Sequence, residues 1–345
     1  MFKKFIFIAA FCSVCILSGS AQVIHKPADL MKIMKASKLS YKVEDMYIDM
    51  DIKDYSKVLT ESNTYHEDSD GHMIVKKLVL SKDAETDWAL AEKAFTVDSD
   101  FKAAKKLYKS VFDLQNDYYP AKIRLGQIYE KEGDFEKAVS SYKQAISKNY
   151  IDFISHWHLA EAYHKAKNYD EAAGEITLAS ILNRNNNEIL ERLNEIYADA
   201  NITYSDWVFS PQVKIFKSQK ENEIKVLCKQ DWNGYAIGKA IWDYEPGYAE
   251  GQGEKPGNNS LMEEKECLLN LIAGQDTSDI TLRHKDPGIA GLLKAQENKM
   301  IESFIYYEEF LRSKPSMVYE LPNNVIKKMR NYVLIAHAGL SPRKK

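Results

Sequence analysis

Three blocks of this chain repeat one another at an interval of 34 residues. Leu125-Gly126-Gln127-Ile128-Tyr129 returns as Leu159-Ala160-Glu161-Ala162-Tyr163, and one interval earlier stands Ala91-Glu92-Lys93-Ala94-Phe95. The second half of each block keeps the register. Asp100-Phe101, Asp134-Phe135 and Asn168-Tyr169 correspond, as do Ala104, Ala138 and Ala172. Tyr108, Tyr142 and Ile176 form a further column, and Val111, Ala145 and Ala179 another. Such a recurrence means a small unit stacked on copies of itself, because one unit alone leaves an apolar face in water. The pattern inside each block predicts a helical hairpin. Small residues in its first helix (Gly126, Ala160) and alanines in its second let two helices approach closely. Aromatic columns fill the space between hairpins.

These columns resemble the tetratricopeptide repeat (TPR) family. The repeats span 85–118, 119–152 and 153–186 without insertion, and a helix over Asn187 to Ala198 reads as a cap. The chain departs from the family in places. Glu92 stands in the small-residue column of the first repeat and Ala91 in its leucine column. Trp88 matches the tryptophan column, but Lys122 and His156 do not. Asn116, Tyr150 and Arg184 replace the closing proline. A loosely packed first repeat, or one covered by the N-terminal segment, is the expectation from these departures.

The resemblance implies a concave groove lined by first-helix residues that holds a protein or peptide. Carried onto this chain, the groove residues are Lys93, Ile123, Gln127, Glu130, Lys131, Trp157, Glu161, His164 and Lys165, with Thr86, Ala89, Thr96, Val97, Pro120 and Ile154 alongside. The capping helix adds Glu188, Glu191 and Glu195. The family's clamp for a peptide carboxylate is not matched, since Ala89 and Ile123 stand where donors are needed. Trp157 beside Glu161 and His164 has the composition of an interface anchor. The alternative is a tryptophan covered by another part of the same chain. His156, His158 and His164 do not share one helical face at metal-ligand spacing, so no metal is expected, and His156 reads as a packed core histidine.

The N-terminus reads as an address. Two lysines within Met1–Lys4 precede an apolar run of 13 residues, Phe5–Leu17, and Ser18-Gly19-Ser20-Ala21 offers small residues before Gln22. That is the layout of a secretory leader, too short to span a bilayer. Its ending resembles leaders of Bacteroidota, which implies a bacterial periplasm or the cell exterior. Neither Cys12 nor Cys15 follows the small residues of a lipoprotein signal. With 47 Lys+Arg against 50 Asp+Glu, the chain offers no electrostatic reason for a nucleic-acid or anionic-membrane partner, and no later segment is apolar enough for stable membrane insertion after cleavage.

Residues 22–84 carry no repeat and read as a short helix over Pro27–Ser37 followed by extended chain, with a turn at Asp68-Ser69-Asp70-Gly71. A calcium loop there fails, because Lys77 occupies the place of the bidentate acid. Residues 205–345 read as a separate unit. It opens with a β-hairpin (213–216 with 224–227), then a helix from Asn233 to Tyr244. Ser260 and Glu263 form a capping box for the next helix, and Asp286-Pro287 starts a long helix ending before Pro315. A last helix covers Asn324 to Ala338. Cys228 and Cys267 make either a disulfide or two separate buried thiols. Trp232, Tyr235, Trp242, Tyr244 and Tyr248 form either a glycan platform or a small core. His284 with Asp286 is the one hint of acid–base chemistry, and no motif supports it.

The expected fold is therefore mostly α: a solenoid of three helical hairpins plus a capping helix over 85–200. An N-terminal mixed extension (22–84) follows the leader (1–21), and a mostly helical C-terminal unit (205–345) carries a β-hairpin. The expected function is an exported, non-catalytic scaffold without cofactor. An enzyme sited in 205–345, or a glycan binder using the aromatic cluster, are the alternatives.

Overall fold

The computed structural model describes residues 23–46, 57–59, 64–69, 72–275 and 286–340. The leader, Asp70-Gly71 and His284 lie outside the described residues. The chain is mostly helical. It divides into two compact units, one joining the chain through Met46 to Val213–Gly274, the other joining Tyr47–Gln212 to Gln275 onward. The expected boundaries at 84 and 205 are therefore not where the units part. A strand from the N-terminal extension and a helix group from the C-terminal region have each found partners elsewhere.

The chain opens with α1 (Pro27–Ala36), whose Leu30 is buried, and β1 (Ser40–Asp45). Two antiparallel strands follow, β2 (Thr64–Ser69) and β3 (His72–Lys77), with Ser69 opposite His72 as a hairpin requires. Then come seven helices in succession: α2 (Lys82–Thr96), α3 (Phe101–Leu114), α4 (Pro120–Lys131), α5 (Phe135–Lys148), α6 (Phe153–Lys165), α7 (Tyr169–Leu182) and α8 (Asn187–Asp199). They pair as α2–α3, α4–α5 and α6–α7, each pair stacked on the next, with α8 closing the row.

The repeated columns explain the stack. Ala104, Ala138 and Ala172 are fully buried, as are Tyr108, Tyr142 and Ile176. A Cβ on Gly126 would lie 2.5 Å from the Tyr142 ring, so that position takes glycine because the aromatic of the paired helix occupies its space. Second helices start at caps in register: Asp100 and Asp134 accept from the amides of Ala103 and Lys137. The first repeat is not loose. Trp88 packs edge-on against Tyr108 and Tyr118, and Ala91, Ala94 and Tyr108 share one core with Leu125 and Ile128 of the second.

In the other unit, β4 (Val213–Lys217) and β5 (Glu223–Cys228) form the expected hairpin, and β1 pairs with β5 in parallel, giving the order β1-β5-β4. Burial alternates along β5, with Ile224, Val226 and Cys228 facing the core. A 3-10 turn (Gln230–Trp232) leads into α9 (Asn233–Tyr244), followed by the short α10 (Tyr248–Gly251) and α11 (Leu261–Ala273). Ser260 accepts from the Glu263 amide as a capping box requires. The Glu263 carboxylate does not turn back to complete the box. It takes the Lys239 ammonium at 2.6 Å, and Glu264 takes the same ammonium at 2.7 Å. Burial works to lower the Lys239 pKa, but Glu264 and Glu263 carry it above its usual range.

The remaining helices belong with the repeats. The expected single helix from Pro287 is broken. α12 (Pro287–Glu297) stops at Asn298, and Lys299 adopts a positive φ of 59°. The chain restarts as α13 (Ile301–Phe304), widens into a π-helix over Ile305–Phe310, and ends in α14 (Leu311–Ser313). α15 (Asn323–Ala336) packs along α7. Arg330 of α15 crosses α7 at Gly174, where a Cβ would fall 2.0 Å from its guanidinium. Arg184, standing in the proline column, is buried with its guanidinium 3.9 Å from the Tyr307 ring centroid. Nearby, the His337 ring nitrogens lie 2.8 Å from the Ser205 carbonyl and 2.7 Å from Glu308, which accepts from Tyr332. Among the described residues no helix is long and apolar enough to cross a membrane.

Candidate functional site

The first helices α2, α4, α6 and α8 are tied to one another by polar side chains that follow the 34-residue register. Arg124 on α4 grips Glu92 on α2 with two bonds of 2.8 and 2.9 Å, and Tyr108 donates to the same carboxylate. Glu92 thus fills its family column with a carboxylate that the next repeat neutralises. One repeat on, His158 accepts from Gln127 at 2.9 Å and stacks on Tyr142, with ring centroids 5.5 Å apart. Burial holds the His158 ring below its usual pKa, which suits a neutral acceptor. One repeat further, Arg192 on α8 grips Glu161 on α6 and also reaches Glu195 at 2.6 Å. Burial alone would lower the Arg192 guanidinium, but Glu161 and Glu195 hold it above its usual value.

A second row runs beside the first. Tyr142 and Lys165 both donate to Glu130, the latter at 2.6 Å. His164 accepts from Arg192 at Nδ1 (3.0 Å), so its Nε2 donates to Asp199 at 2.6 Å. Pairs as exposed as these contribute little stability, about 0.2–1 kcal/mol each. Their effect is on position: each fixes the spacing of adjacent first helices and so the shape of the concave face.

The expected groove residues therefore divide in two. Glu130, Glu161, His164 and Lys165 meet partners inside the chain, and Gln127 bridges two repeats. Ile123 is packed away at 8% exposure. Lys93 and Lys131 are exposed. Trp157 is partly exposed in the middle of the face, its indole N–H donating to Glu161 at 3.3 Å. On α2, Thr86 and Ala89 are exposed, and Val97, just past its end, is 72% exposed. The α8 stripe ends on Asp199, which the sequence reading did not place in the groove. The register alone places it there, one interval past Lys165.

The other candidates fall elsewhere. Cys228 and Cys267 are free buried thiols rather than a disulfide, the Cys228 Sγ donating to Asn233 at 3.0 Å. Burial pushes the Cys228 thiol up to about 11. Trp232, Tyr235 and Trp242 are buried, so the aromatic cluster is a core and not a glycan platform. Trp242 and Tyr248 both donate to the buried Glu266. His156 is buried between Glu175 and the Tyr150 carbonyl, as a core histidine. Asp286 caps α12 through the amides of Gly288 and Ile289. A cleft of about 450 Å³ opens beside Trp207, Ala290, Gly291 and Lys294.

Residues 123–184 match the tetratricopeptide repeat family, and the chain carries a segment of such repeats. No curated protein matches it. A solved structure of the Yersinia enterocolitica type III secretion chaperone SycD, in complex with a peptide of the translocator YopD, is similar to it. That likeness covers 35% of this chain and 92% of the other, at 20% identity and a TM-score of 0.32.

Proposed function

We propose that this chain is an exported, non-catalytic scaffold that holds a protein or peptide on the concave face of its repeats. The observation that carries the reading is Trp157: a partly exposed indole at the centre of a face where Glu130, Glu161, His164 and Lys165 around it are already fixed by internal pairs. A rigid aromatic anchor in a pre-positioned setting is where binding energy concentrates, and little ordering cost remains to be met on association. Export rests on the leader. N-terminal sequencing of protein from its source cells should begin at Gln22, and a retained Met1 would remove that part.

Trp157→Ala tests the site. Affinity capture from the source envelope should recover a partner with the parent chain. The variant should recover it at least about 10-fold more weakly, the scale of an interface hot spot. Far-UV circular dichroism should be unchanged. Equal recovery by both chains removes Trp157 from the site.

A further inference from the structure

The groove changes character along its length, and the change points to one kind of occupant. Thr86, Pro120 and Ile154 occupy one column, which ends on α8 at Glu188. The Ala89, Ile123, Trp157 column ends at Glu191. The Lys93 column runs through Gln127 and Glu161 to Glu195, and the Val97 column through Lys131 and Lys165 to Asp199. Four columns that begin without an acid on α2 or just past its end (Thr86, Ala89, Lys93, Val97) thus finish in a carboxylate on α8. Glu195 and Asp199 each meet one internal partner yet stay 65% and 56% exposed at the side chain. Glu188 and Glu191 are exposed and enter no ion pair among the described residues. Arg192 offsets only Glu195 within the stripe and shares its charge with Glu161, which leaves Glu188 and Glu191 uncompensated.

We propose that the groove takes a partner segment with an apolar residue on Trp157 and a cluster of Lys or Arg on α8. The proposal rests on the scaffold reading and adds the chemistry and direction of the bound chain. Adjacent first helices lie roughly 9 Å apart in such packing, which is about three residues of extended chain. The basic cluster therefore sits about three residues from the apolar anchor. Opposite charges at this end steer the encounter and fix orientation, while the indole supplies the burial.

Two fluorescein-labelled ten-residue peptides test this against the chain from Gln22 to Lys345, read by anisotropy at low salt. One carries Leu-Phe followed three residues later by Lys-Arg-Lys, the other Leu-Phe followed by Glu-Asp-Glu. The basic peptide should bind at least ten-fold more tightly, and the gap should shrink as salt rises. Glu188→Lys with Glu191→Lys should cut the preference at least five-fold. Glu136→Lys, on the exposed side of α5, should leave it unchanged. Equal affinity for both peptides, binding of neither, or a preference insensitive to the α8 reversals overturns the proposal. An equal response to Glu136→Lys does the same, since it reveals general attraction to cations. Trp157→Ala separates the two claims. If it weakens both peptides while the α8 reversals do nothing, the scaffold reading stands and this inference fails. If it changes neither, the groove itself is refuted as the site.

Discussion

Asp152 shows how one side chain couples the repeat to pH. It caps α6, accepting from the Ser155 amide at 2.8 Å and from the Ser155 hydroxyl, and is itself buried. Burial pushes its carboxyl from 3.8 up to about 6, against the lowering effect of the Ser155 bonds. The folded chain therefore holds this proton more tightly than the unfolded chain does. The stabilisation is complete below about pH 4 and is lost as pH climbs through about 6. Asp152→Asn keeps a good capping oxygen and removes the titration. The variant should match the parent near pH 4 and gain on it up to pH 7, by at most about 3 kcal/mol. Urea titrations at several pH values check this, and parallel stability profiles for the two proteins over that range would sink it.

At the scale of elements, the columns that set close packing were readable because each residue type serves a local, repeated purpose. Gly126 against Tyr142 is such a case, and so is the row of buried alanines. Glu92 looked like a defect in sequence because its compensation, Arg124, lies on the next repeat's helix. A different signal stands in the second helices. Lys106, Ser140 and Gly174 share a column, as do Ser110, Gln144 and Leu178, and Asp113, Ser147 and Ile181. Lys106, Ser140, Gln144, Asp113 and Ser147 are exposed, whereas Gly174, Leu178 and Ile181 are buried. A helix apolar on every side is covered on every side, and α15 packs along α7. The parallel pairing of β1 with β5 left no comparable mark, because a parallel partner needs no turn or local spacing to announce it. The break in the helix after Pro287 also lacks a strong local signal: Asn298-Lys299 is neither proline nor glycine, yet Lys299 takes a left-handed turn. In the groove, residue types were legible but the pairings between helices were not, since Arg124–Glu92, Arg192–Glu161, Lys165–Glu130 and His164–Asp199 each join positions about one repeat apart.

For the whole molecule, the consequence is that the repeats are not a free-standing module. TPR-like arrays need a polar outer face on the last unit. Here the last hairpin instead presents α7 to α15, with Arg184 buried beside Tyr307 and Arg330 lying over Gly174. A fragment of residues 82–200 keeps every repeat and loses that cover. It should bind an apolar-surface dye and self-associate in sedimentation velocity, where the full chain does neither. Leu178→Gln with Ile181→Ser gives α7 the residues that α5 carries at Gln144 and Ser147. In the fragment this pair should restore a monomer that leaves the dye dark. In the full chain it puts polar groups into a buried site and should cost several kcal/mol, of the order of 2–5 for each large apolar side chain lost. The same substitutions thus act with opposite sign in the two contexts. That reversal is hard to obtain from a general effect on helix propensity, because α7 is the same helix in both. If the unmodified fragment is already monomeric and dark, α15 is an accessory to a self-sufficient solenoid, and the columns of α7 need another cause.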